Sequence, residues 1–192
     1  MIDVDLTIGL DWGSSFGQLE VEKAVDAAVK VADLPGLSLY RSPVEVSVKL
    51  SNNDEVHALN REWREKDKPT NVLSFPMLED DELRHLRHPE LVSGSISPVG
   101  QDFAARWTLK QVQGDGSEME LLLGDIILAH GVCHAEAEEK AIPLADHATH
   151  LVIHGMLHLL GHDHIDDDEA EAMEALEVKA LASLGLHNPY GD

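Results

Sequence analysis

Residues 148–164, ATHLVIHGMLHLLGHDH, form an apolar stretch in which histidine returns every fourth residue, at 150, 154, 158 and 162. A spacing of four follows one face of a helix, so the stretch predicts a helix whose histidines project to the same side. Asp146 or its neighbours open this helix, and Gly161 ends it as a left-handed cap.

Two imidazoles four residues apart on a helix can grip one ion. Positions eight apart lie about 12 Å apart along the axis, so only neighbours in the ladder can share it. His154 and His158 are the selected pair, because the helix-ending glycine falls three residues after His158 and the turn can then return His164 to the same ion. Three neutral imidazoles leave a fourth position open, the mark of a catalytic zinc site rather than a closed structural one. His150 either stands behind the ligands or faces solvent. His162 is either a spare ligand or a surface residue. Asp163 either orients a ligand by accepting its second ring proton or caps the turn.

Metalloprotease helices share this spacing but carry a glutamate general base directly after the first histidine. Gly155 occupies that position here, which disfavours a protease of that mechanism.

Upstream, LEVEKAVDAAVKVAD at 19–33 reads as an amphipathic helix ended by Pro35-Gly36, and Val44, Val46 and Val48 alternate with polar residues as in a half-buried strand. Asn52 or Asn53 can cap a second helix through Trp63, Pro69 breaks it, and NVLSF at 71–75 reads as another strand. From about residue 78 to 119 periodicity fails and Gly, Pro, Ser and Asp accumulate, so this is read as a long surface insertion, with a possible hairpin across GDG and a mobile lid as the functional alternative. EMELLLGDIILA at 118–129 has the character of a central strand, VCHAEAEEKA continues as a helix, and Asp166 caps a last helix. Strands and helices mixed without strict alternation, and no nucleotide-binding glycine loop, point to an α+β fold rather than a doubly wound sheet.

With 192 residues, 43% of them apolar, the chain supports one ordinary core and is read as a single domain over 1–192. The start, MIDVDLTIGLDWGSSFGQ, has no basic n-region, and no later run approaches a membrane span, so an unexported, cytoplasmic protein is expected. The one cysteine, Cys133, cannot form an internal disulfide and reads as a small buried residue. A formal charge of -22 argues against a general polyanion binder, so any nucleic-acid site must be local. Lys49, Arg61, Arg64, Lys66 and Lys68 are the cations that cluster.

HGMLHLLGHDH resembles the signature of the YbeY endoribonucleases at every fixed position, LNREWREKDKPTNVLSFP at 59–76 is similar to that family's second block, and LLGDII at 122–127 resembles its third. The resemblance implies an α+β domain with a small mixed sheet and one zinc ion on His154, His158 and His164. It makes Arg64 the functional arginine, holding the scissile phosphate and stabilising its charge. It further implies cleavage of single-stranded RNA, maturation of ribosomal RNA at the 16S 3′ end, ribosome quality control, and work on the small ribosomal subunit and its proteins. The chain departs from the family in its long insertion and in His162, which stands at a variable, often aromatic position. Two other readings are a metallohydrolase acting on peptides or small amides, and a non-catalytic ribosome-assembly factor with a structural metal.

Overall fold

The computed structural model describes residues 2–13, 16–39, 43–88 and 121–191. In chain order these form β1 (Asp3–Ile8), α1 (Gln18–Ala32), β2 (Val44–Ser51), α2 (Asn53–Arg64), β3 (Val72–Pro76), α3 (Asp80–Arg87), β4 (Leu121–Ala129), α4 (His130–Glu139), α5 (Leu144–Leu159) and α6 (Asp167–Ser183), with 3-10 turns at Leu10–Trp12 and Pro35–Leu39. The strands make one sheet in the order β1-β2-β4-β3; β1, β2 and β4 run parallel, and β3 is an antiparallel edge. This is the small mixed sheet of an α+β fold.

The sheet faces explain why the elements lie where they do. Val44, Val46, Val48 and Leu50 alternate along β2 onto one face, where they join α1, α5 and α6 in the main core. Leu73 on β3 and Ile127 on β4 point to the other face and meet Val56 of α2 in a smaller core. Each of these side chains contributes roughly 1.5–3 kcal/mol relative to exposure. Helix α5 packs against β3, β4, α1, α4 and α6, which accounts for its almost continuous apolar sequence. Gly155 sits where α5 crosses the sheet, and a Cβ there would lie 3.0–3.3 Å from three side-chain carbons of Ile126. The residue that disfavoured a protease base is thus set by close packing.

The caps follow the sequence closely. The Asn52 side chain accepts from the Glu55 amide at 3.0 Å and Asp166 accepts from the Glu169 amide at 2.9 Å. Gly161 has φ +79°. The His162 amide donates to the Leu157 carbonyl at 2.9 Å and the Gly161 amide to the His158 carbonyl at 3.0 Å, closing α5 in a Schellman turn.

Two elements depart from expectation. Strand β1 was not anticipated, although it adds the parallel edge beside β2. The stretch read as an insertion from residue 78 begins with helix α3, whose Leu83 and Leu86 are buried in the main core. Two leucines three residues apart give a single turn of apolar pattern, which the following Gly- and Ser-rich sequence obscured. The hairpin expected around GDG falls outside the described residues. No helix among the described residues is long and apolar enough to cross a membrane.

Candidate metal centre

Helix α5 and its terminating turn bring three histidines together. His154 and His158 lie one turn apart on α5 with Nε2 atoms 3.2 Å apart. After Gly161 the chain folds back, and the His164 ring comes to 5.5 Å from that of His154 and 4.9 Å from that of His158, centroid to centroid. One ligand atom from each of the three rings lies within 4.8 Å of the others, so the cluster can hold a metal ion. His150 and His162 are not in it.

The donor set suits such an ion. Tetrahedral Zn–N bonds of about 2.0–2.1 Å place ligand nitrogens about 3.3 Å apart. The His154–His158 pair already stands at that separation. Each α5 histidine is held through its other nitrogen. His154 Nδ1 is 2.8 Å from Oε1 of Glu177, and His158 Nδ1 is 3.0 Å from the His162 carbonyl. Acceptors at both Nδ1 atoms leave the Nε2 lone pairs for an ion. Burial, together with the neighbouring His154 and His164, brings the His158 pKa down to about 4, so its ring is neutral and ligand-ready at physiological pH.

The open questions about the flanking residues resolve by geometry. The side chain of His150 is only 12% exposed and its Nε2 lies 2.7 Å from Oε2 of Glu177, so it stands behind the clustered histidines. His162 acts through its backbone carbonyl, while its Nε2 is buried with no hydrogen-bond partner among the described residues. The Asp163 carboxylate accepts from the His164 amide at 2.8 Å and stays 3.8 Å from His158 Nδ1, so it caps the turn. Burial first, and the Glu136 charge second, raise the Cys133 thiol to about 12, consistent with an inert core residue.

The histidines open onto a cleft of about 500 Å³ that is also lined by Arg64, Asn71 and Ser74. Val72, Ser74 and Pro76 alternate on β3 to form one wall. Arg64 is the last residue of α2, exposed, and followed by Glu65 at φ 56°, where the helix stops and the chain turns. The sequence-predicted arginine and the three histidines therefore face one cavity although ninety residues separate Arg64 from His154.

A family model described as "Endoribonuclease YbeY" matches residues 14–185. The chain belongs to the YbeY family. Curated relatives named endoribonuclease YbeY match over nearly the whole length. That of Rhizorhabdus wittichii is 48% identical over 99% of this chain and 97% of its own. That of Sphingopyxis alaskensis is 46% identical over 95% and 90%, and that of Zymomonas mobilis 45% identical over 100% and 94%. The YbeY match includes Arg64 and all three clustered histidines and stops before Tyr190.

Glu177 went unnoticed in the sequence. It stands 23 residues after His154 on a different helix, among many other acids, and only its burial at 1% exposure sets it apart.

Proposed function

We propose that the chain is a zinc-dependent endoribonuclease that cuts single-stranded RNA, with His154, His158 and His164 as the ligands and Arg64 as the phosphate-binding group. The observation that carries this reading is the convergence of three imidazoles on one cleft that Arg64 also lines. The name shared by the relatives points to RNA as the substrate. When bound, zinc supplies Lewis acidity to a phosphoryl oxygen or to an attacking water.

The chain's own residues do the rest. The exposed Arg64 guanidinium donates paired N–H bonds to the non-bridging oxygens of the scissile phosphate and stabilises charge that grows there. His154 and His158, tied through Nδ1, keep their Nε2 atoms aimed at a common point. Gly155 supplies no general base at that position, so the proton of the nucleophile, whether water or the substrate's own 2′-hydroxyl, passes to an acceptor elsewhere in the cleft.

The biological substrate in this reading is ribosomal RNA, matured at the 16S 3′ end on the small subunit in the cytoplasm, by one metallohydrolase domain spanning 1–192. The charge of -22 fits delivery of RNA by ribosomal proteins rather than long-range attraction. The test is cleavage of a single-stranded RNA, its duplex and a peptide amide by the zinc-loaded protein and by Arg64→Ala. Cleavage of the single strand only, lowered at least about 100-fold by Arg64→Ala with zinc retained, supports the reading. Peptide hydrolysis without RNA cleavage overturns it.

A further inference from the structure

We propose that Glu177 is the positioning residue for the metal ligand His154, and that Tyr190, in the C-terminal tail, locks Glu177 in place. The proposal rests on the reading of His154, His158 and His164 as metal ligands.

Glu177 lies on α6 with its side chain 1% exposed. A carboxylate so buried is tolerated only when donors surround it, and here there are three. Oε1 meets His154 Nδ1 at 2.8 Å, Oε2 meets His150 Nε2 at 2.7 Å, and the Tyr190 hydroxyl donates to Oε2. The division between the two oxygens matters. His150 and Tyr190 both engage Oε2, which fixes the rotation of the carboxylate and leaves Oε1 to His154 alone. A carboxylate acceptor requires the proton on His154 Nδ1, so the lone pair stands on Nε2, the atom that faces His158 across 3.2 Å.

Tyr190 stands edge-on to His150, with ring centroids 5.8 Å apart and planes at 89°, so the tail packs against the same group of residues. Tyr190 lies beyond residue 185, where the family match ends. The lock thus comes from the part of the chain outside that match.

The experiment uses the full-length chain and three variants, Glu177→Gln, Tyr190→Phe and His158→Ala. Zinc affinity is read by competition with a chromophoric chelator, folding by circular dichroism, and the His154 tautomer in the metal-free protein by long-range proton–nitrogen NMR. Glu177→Gln keeps the shape but removes the charge, and is expected to weaken zinc binding roughly 10–100-fold and to lose the pure Nδ1–H tautomer. Tyr190→Phe is expected to weaken it roughly 3–10-fold, the effect of one hydrogen bond. A folded Glu177→Gln protein with wild-type zinc affinity and an unchanged tautomer overturns the proposal. Should that variant fail to fold, Tyr190→Phe decides: a loss of affinity supports the proposal and wild-type affinity overturns it. If wild type binds no zinc that His158→Ala abolishes, the metal-site reading itself fails, a result distinct from either.

Discussion

Arg87 of α3 reaches the end of α5 and donates from Nη2 to the carbonyl of Gly161 at 2.9 Å and to that of Leu160 at 3.1 Å. A cation at a helix C-terminus satisfies orphan carbonyls and opposes the negative end of the dipole. Here the carbonyls belong to the turn that swings His164 towards His154 and His158. An element from the stretch that looked like an insertion therefore braces the metal turn.

Arg87→Ala is expected to lower stability by about 1–2 kcal/mol, as for hydrogen bonds from a charged donor that is partly exposed. Zinc affinity should fall with it, because the turn loses its brace. Urea denaturation of the metal-free protein and chelator competition read the two effects. Unchanged values of both would show that Arg87 is a surface charge without consequence.

Gly155 gives a sharper packing test. An alanine there gains roughly 1 kcal/mol of helix propensity, yet its Cβ meets Ile126 carbons at 3.0–3.3 Å in a fully packed core. Overpacking of this kind costs roughly 1–3 kcal/mol, so a net loss of about 0–2 kcal/mol is expected. Combining it with Ile126→Val, which removes one of the three contacts, should cost less than the two changes summed. A Gly155→Ala protein more stable than wild type would mean that Ile126 yields freely.

The fold was legible wherever local chemistry speaks. Alternating valines marked β2, Asn52 and Asp166 marked helix starts, and Gly161 marked the end of α5. The same glycine made the grouping of His154, His158 and His164 readable, because ligand spacing and helix termination are both local. Strand β1 was harder to see, since Val4 is its only buried residue and Ile8 lies exposed. The pairing of Glu177 with His154 and His150 depends on how α6 docks on α5, which no local pattern encodes. Arg64 shows the same limit: nothing near it in the chain indicates that α2 and β3 deliver it to the histidine cleft, and it was singled out by family resemblance.

His147 makes the chain's stability depend on pH. It is 2% exposed, with Nε2 2.7 Å from Oε2 of Glu136 and, among the described residues, no partner at Nδ1. Burial lowers its pKa, outweighing the pull of Glu136 in the other direction. Folded His147 thus takes up a proton less readily than the unfolded chain, whose histidines titrate near about 6.5. Its contribution is fully present above that pH and declines as pH falls below it, because protonation then favours the unfolded state. NMR titration of the metal-free protein should find His147 still mostly neutral at pH about 6.5, and the urea midpoint should drop on further acidification. Protonation of His147 above the ordinary histidine range would contradict the account.

The charge on Arg64 can be separated from its shape. Arg64→Lys keeps a cation but loses the planar fork that matches a phosphate, so it should retain zinc and cleave RNA roughly 10-fold or more slowly, with Arg64→Ala slower still. Steady-state cleavage of a short single-stranded RNA at fixed salt reads the order. Equal rates for lysine and arginine would reduce the role of Arg64 to nearby positive charge.

The most direct test measures bound metal and single-stranded RNA cleavage on the same preparations of wild type and His158→Ala, with circular dichroism as the check on folding. The account predicts about one zinc per chain and cleavage for wild type, and a folded His158→Ala protein that has lost both. A folded variant that still cleaves RNA without metal would contradict the central claim that the histidine cluster is the catalytic centre.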